Sequence, residues 1–231
     1  GRHASQSTAG SQPTDTAAGL NGKHVLRFDG TTDFLNVNLD FLAGVSHSAF
    51  IVAKVTTYNN IYGAANGNAG ANSLHVGLRD ATSYRMNYWG QDWYGTISTN
   101  FKAGQGNLLN YAWTTGTRRE IFANGLSEGS NVVAGAVGTM AGGGRIANIV
   151  GQGYFGGDIG EIIMCAGTVS VAERQLFEGY LAHKWGLAGN LPVGHPYKSQ
   201  APGVSGDAIN NRAPTGITGT VSTSNSLVGT N

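Results

Sequence analysis

Residues 151–197, GQGYFGGDIGEIIMCAGTVSVAERQLFEGYLAHKWGLAGNLPVGHPY, constrain the fold more than any other part of this 231-residue chain. Strand, helix and stop signals follow one another there without a gap. Residues 158–165 (DIGEIIMC) are apolar on both faces, with Ile159, Ile163 and Cys165 expected on one and Ile162 and Met164 on the other. A strand covered on both sides reads this way, so this one is predicted to be central. Ser170 and Glu173 form a capping box, in which the hydroxyl accepts from an orphan amide and the carboxylate reaches back to the cap. Leu176, Phe177, Tyr180, Leu181 and Trp185 recur at helical spacing. A helix over 170–185 should therefore lay one apolar face on the sheet and stop at Gly186. Beyond it, Leu191-Pro192 and His195-Pro196-Tyr197 hold the backbone extended, because proline fixes its own φ and disfavours the α region before it.

The rest of the chain reads as short strands and turns. Val25 to Phe28 alternate, Asp29-Gly30 supplies a turn and 34–37 resumes extended, which predicts a first hairpin. Residues 49–55 (AFIVAKV) form a nearly continuous apolar strand, and 59–73, dense in Asn, Gly and Ala, a long loop. Residues 74–79 and 84–89 both alternate with a period of two and should be neighbouring strands. Strands over 108–113 and 119–123 follow, then Asn124-Gly125, the dipeptide of a type I′ hairpin turn, where both positions need φ > 0. Residues 132–137 and 145–150 are expected to be shorter strands. Residues 1–19 are polar and aperiodic and read as an arm or linker, and 201–231 read as a second linker.

The 151–197 stretch resembles the carboxy-terminal signature of concanavalin A-like, laminin-G-like jelly-roll domains of large bacterial surface proteins and some phage proteins. The matching pieces are Gly157-Asp158-Ile159-Gly160-Glu161, then Tyr180-Leu181 with Lys184-Trp185-Gly186-Leu187, and Leu191-Pro192 with His195-Pro196-Tyr197. Three earlier segments also fit: 26–30 (LRFDG), 74–79 (LHVGLR) leading to 89–92 (WGQD), and 117–125 (TRREIFANG). The resemblance implies an all-β fold, a jelly-roll β-sandwich of two antiparallel sheets with one C-terminal α-helix packed on it. It places that domain at 20–200, between the arm at 1–19 and the tail at 201–231. The tail itself resembles the opening of a cadherin-like repeat over 211–230. A binding or structural role follows from the resemblance, with no fixed ligand.

Composition narrows the partners. Charged residues make up 12% of the chain and the net charge is +1, so no strong field draws nucleic acid or anionic membrane. Cys165, the single cysteine, falls in the predicted central strand as a small buried apolar residue. A glycosidase on this fold would need two carboxylates about 5 to 9 Å apart across one face. Asp158 and Glu161 are expected on opposite faces of their strand, and no other acidic pair has suitable spacing, so no enzyme activity is expected. The six histidines lack metal-ligand spacing, which leaves zinc without support. Analogy with the family leaves room for Ca2+ in the sandwich loops, with Asp29, Asp33, Asp92 and Asp158 as contributors.

Trp89, Gln91, Asp92, Trp93 and Tyr94 form the candidate ligand site. Flat rings stack on the apolar faces of sugars while Gln and Asp bond hydroxyls. Trp89 as a core residue and Trp93 as an edge cover are the competing readings of those two side chains. The expected function is a non-catalytic recognition or adhesion module, extracellular or at the cell surface, binding a glycan or another surface ligand. The alternative is a structural or decoration subunit of a phage virion or extracellular filament, whose arms contact neighbouring subunits.

Overall fold

The structure, a computed structural model, describes residues 3–64, 73–132 and 143–203. Its strands are β1 (Thr14–Leu20), β2 (Lys23–Asp29), β3 (Leu35–Val37), β4 (His47–Thr57), β5 (Asn60–Ala64) and β6 (Leu74–Leu78). They continue as β7 (Tyr84–Tyr88), β8 (Gly106–Thr114), β9 (Arg118–Ala123), β10 (Leu126–Val132), β11 (Gly144–Ile146) and β12 (Gly156–Ala166), followed by the helix α1 (Val171–Lys184). One sheet has seven strands in the order β1-β2-β12-β4-β8-β9-β10, and the other has five in the order β3-β11-β5-β6-β7. Both are antiparallel, and the fold is the expected jelly-roll β-sandwich with one helix on it.

The molecule has three layers because the seven-stranded sheet buries both its faces. Between the sheets lie Phe28, Ile51, Tyr62, Leu74, Tyr84, Tyr88, Tyr111 and Trp113. On the other side, Phe50, Val52, Leu108, Ile163 and Cys165 pack against Phe177, Leu181 and Trp185 of the helix end. The continuous apolar runs of β4 and β12 are therefore those of central strands, as predicted.

Within β12 the facing of the side chains is corrected. Ile159 pairs with Ala53 and Glu161 with Val52, so Gly160 is an extra residue. This bulge reverses the alternation, and Ile159, Ile162 and Met164 face the other sheet while Ile163 and Cys165 face the helix. Asp158, opposite Arg27, and Glu161 consequently share the helix-bearing face, contrary to the expectation that the pleat separates them. Each is held in a structural pair. Asp158, only 3% exposed, takes both oxygens to Arg27 at 2.6 and 2.9 Å. Glu161 accepts from Trp185 Nε1 at 2.7 Å and sits 2.9 Å from Lys184 Nζ. The bulge must be glycine, since a Cβ at Gly160 would lie 2.6 Å from the Trp185 ring.

Other segments differ at their ends. The hairpin partner of β2 is β1, and β3 belongs to the other sheet, so the predicted first hairpin is replaced. Residues 14–20, expected within an arm, pair with β2 because an edge strand with little buried surface needs no apolar pattern. Ser5 also bridges to Asn36, and Ala4 is 7% exposed. The expected loop over 59–73 contains β5, where Ile61 and Tyr62 are fully buried; residues 65–72 lie outside the described residues. The strand expected over 132–137 shares only Val132 with β10, and 133–142 also lie outside the described residues. The strand expected over 145–150 stops at Ile146, because Ala147 turns to φ +68°.

The helix and its clasp follow the sequence closely. Ser170 caps α1, with Glu173 N donating to Ser170 Oγ at 3.3 Å and Ser170 N to Glu173 Oε2 at 2.8 Å. Gly186 ends it at φ +66°. The clasp then returns to the helix through a buried acid: Glu178, fully buried, accepts from Arg174 at 2.6 Å and from His195 Nε2 at 3.1 Å. His195 Nδ1 in turn accepts from Tyr197 N at 3.2 Å, which fixes the ring as a donor toward Glu178.

Candidate functional site

The outer face of the five-stranded sheet, turned away from the sandwich interior, carries a polar row built by strand register. Arg145 on β11 lies opposite Asn36 on β3 and Gly63 on β5; Gly63 lies opposite His75 on β6, and His75 opposite Asn87 on β7. The rows beside it, such as Ile146, Tyr62, Val76 and Met86, point inward to the core. Alternation thus places every second residue of five strands on one face, which is exposed at Asn36, half-buried at Arg145 and buried at Gly63, His75 and Asn87.

An open cavity of about 430 Å³ lies at one end of this row. His3, Ser5, Asn36, Asn38 and Arg145 supply its polar lining, and Val37, Ile149 and Val150 its apolar lining. Gly63 lets Ile149 pack onto the floor, since a Cβ there would fall 2.0 Å from the Leu74 carbonyl and 2.4 Å from Ile149 Cδ1. Arg145 is fixed over the Phe34 ring, its Cζ 4.1 Å from the centroid, and donates Nη1 to Asn148 Oδ1 at 2.8 Å. Further along the row His75 is 6% exposed, and burial with the charge of Arg85 pushes its pKa down to about 4, so the ring is neutral near neutral pH.

The predicted ligand residues occupy the far margin of this face, and their rings diverge. Trp89, 39% exposed, follows β7 on the outer face, its ring 6.3 Å from His75. Trp93 turns to the sandwich edge instead, packs against the interior cluster and lies beside Gly95 and Gly129. Tyr94 is 37% exposed and carries the Arg79 guanidinium 4.3 Å above its ring. Gln91 donates its backbone N–H to the Tyr88 carbonyl at 2.7 Å, closing the turn, and Asp92 is exposed beside it. The segment is anchored by Arg119, whose Nη1 donates to the carbonyls of Met86 at 2.6 Å and Gln91 at 2.5 Å. Burial pulls the Arg119 pKa down to about 10, which still leaves it charged.

The four aspartates considered for calcium are spread over the molecule. Asp29 and Asp33 share the turn after β2, where Asp29 Oδ1 accepts the amides of Thr31, Thr32 and Asp33 at 2.8, 2.9 and 3.0 Å. Asp29 Oδ2 takes the two threonine hydroxyls. Burial opposes the charge of Asp29, yet these donors hold its carboxyl well below the usual range, while burial raises Asp33. Asp158 is committed to Arg27, and Asp92 stands beyond β7 at the opposite margin of the molecule's strand order. Among the described residues no three His, Cys, Asp or Glu side chains form a cluster able to hold a metal.

Sequence reasoning did not single out Asn36, Gly63 or Arg145. Each is one outward residue of an alternating strand, with no local motif to mark it, and only the pairing of β3, β11 and β5 brings them together.

No protein-family model matches the chain, and no curated protein matches it in sequence. Its fold is shared with solved structures. Domain 4 of AbnA, a GH43 extracellular arabinanase from Geobacillus stearothermophilus solved with arabinotriose, is 14% identical, with a TM-score of 0.53 over 65% of this chain and 74% of that one. The CBM40 of Ruminococcus gnavus IT-sialidase, solved with α2,3-sialyllactose, is 15% identical, with a TM-score of 0.51 over 64% of this chain and 93% of that one. Domains LG4-5 of the mouse laminin α1 chain are 12% identical, with a TM-score of 0.50 over 70% of this chain and 44% of theirs. The chain is thus similar in architecture to lectin-like and carbohydrate-binding β-sandwich domains.

Proposed function

We propose that this chain is a non-catalytic glycan-binding module of an extracellular or cell-surface protein. The observation that carries the reading is the open, mixed polar and apolar cavity beside Asn36 and Arg145, with the exposed Trp89 ring at the other margin of the same face. Amide, hydroxyl and guanidinium groups bond sugar hydroxyls, while the exposed Val150 and the Trp89 ring meet apolar sugar faces. The similar folds that were solved with arabinotriose and sialyllactose support the ligand class. Asp158 and Glu161, though on one face, are engaged with Arg27, Lys184 and Trp185, which supports a binding role over hydrolysis. Residues 4–20 bond to their own chain, which gives no weight to an N-terminal arm reaching a neighbouring particle subunit. Among the described residues no helix is long and apolar enough to cross a membrane.

The test is a glycan array probed with the intact chain, with and without calcium. Binding to a defined glycan set, weakened by Asn36→Ala and by Trp89→Ala, is the expected result. A blank array under both conditions would sink the glycan reading.

A further inference from the structure

We infer that the glycan bound on this face is acidic, and that Arg145 receives its carboxylate or sulfate in the cavity floored by Gly63. The inference rests on the glycan-binding reading and adds the charge class of the ligand and the residue that selects it.

Most of the described arginines are engaged within the protein. Arg27 is paired with Asp158, Arg118 with Glu120, Arg174 with Glu178, and Arg79 stands 3.9 Å from Asp80. Arg119 spends donors on two backbone carbonyls. Arg145 and Arg85 form no ion pair among the described residues, and both lie on the outer face of the five-stranded sheet. Arg85 follows from register: its neighbours Tyr84 and Met86 face the core, and its cross-strand partner is Gly77. Its Nε is buried without a hydrogen-bond partner.

The cavity repeats this imbalance. None of the described residues lining it is a carboxylate, while Arg145 and His3 both line it. Arg145 is also held in place. Among the described residues its guanidinium donates to a neutral amide oxygen, Asn148 Oδ1, and the Phe34 ring supports its plane, so its orientation is fixed with no carboxylate paired to it. A guanidinium presented this way matches the planar fork of a carboxylate or sulfate. Beside Arg145 the cavity is walled by the Ile149 side chain packed over Gly63 and opens toward Asn36, Asn38 and Ser5, where the rest of a sugar ring would lie. At the far margin Arg85 and Asp92 both bear on His75 with opposite sign, whereas the cavity end carries Arg145 with no acid in its lining.

The experiment measures binding of the full chain to polygalacturonate and chondroitin sulfate, and to the neutral polymers arabinan and amylose, by affinity electrophoresis and calorimetry. Acidic polymers should bind, with affinity falling as salt rises. Arg145→Gln should weaken that binding at least tenfold, whereas Lys23→Gln on the other sheet should change it less than twofold. Asn36→Asp provides a second route, since it sets a carboxylate opposite Arg145 by register and should cost a similar factor without deleting the arginine. It also serves if Arg145→Gln fails to fold. Neutral-polymer binding indifferent to Arg145→Gln and Asn36→Asp would overturn the acidic-ligand inference and leave the glycan reading standing. Equal losses from Lys23→Gln and Arg145→Gln would reduce the effect to diffuse charge and overturn it too. Absence of binding to every polymer would overturn both readings together.

Discussion

His47 makes the stability of the sandwich sensitive to acid. The side chain is 1% exposed and its ring lies parallel to Trp113, 6.5 Å away and tilted by 6°. Nδ1 faces the Val45 carbonyl at 3.2 Å and must carry the proton, since a carbonyl only accepts. Nε2 is buried with no partner among the described residues, so a second proton there would be an unpaired buried charge. Burial accordingly pushes the His47 pKa down to about 4 from 6.5. Between those values the unfolded chain binds a proton that the folded chain refuses, so stability is full above pH 6.5 and is lost as pH falls toward 4. At about 1.4 kcal/mol per pH unit the full loss from this group is about 3 kcal/mol. Urea unfolding of the parent chain and of His47→Leu, followed by tryptophan fluorescence at pH 7.5 and 4.5, separates this contribution from that of every other titrating group. The parent should lose about 2 to 3 kcal/mol more than the variant over that interval. Equal losses, or the His47 imidazole titrating near 6.5 in the folded protein by NMR, would refute the reasoning.

Leu181→Ala removes a fully buried side chain from between the helix and the seven-stranded sheet and should destabilise by about 2 to 5 kcal/mol in chemical denaturation; a loss below about 1 kcal/mol would make the helix peripheral. Gly125→Val should lower the melting temperature through about 1 to 3 kcal/mol of backbone strain, because Gly125 sits at φ +83°. A Cβ there would also press on Pro192 and His195 of the clasp at 3.2 and 3.3 Å. Trp93→Ala should lower stability by about 1 to 3 kcal/mol while leaving glycan affinity within twofold, since the ring covers the sandwich edge; loss of affinity with unchanged stability would return Trp93 to the ligand site.

What the sequence determined by itself was local. The Ser170–Glu173 box, the helix face through Leu181, the stop at Gly186 and the Asn124-Gly125 turn each depend on residues a few positions apart, so periodicity and capping rules read them directly. The motif resemblance extended this to the sandwich as a whole. Tertiary structure decided the rest, because pairing partners lie far apart in the chain. Thr14–Leu20 is a strand only because β2 offers it an edge, and its own residues carry no buried alternation. The facing of Asp158 and Glu161 depends on one bulge at Gly160, where the Trp185 ring leaves no room for a side chain. Trp89 and Trp93 are close in sequence but part to the outer face and the sandwich edge, whereas Asn36, Gly63, His75 and Arg145 are scattered along the chain and share one sheet face. Strand alternation fixes which residues share a face, but only the register between strands fixes which faces meet a ligand.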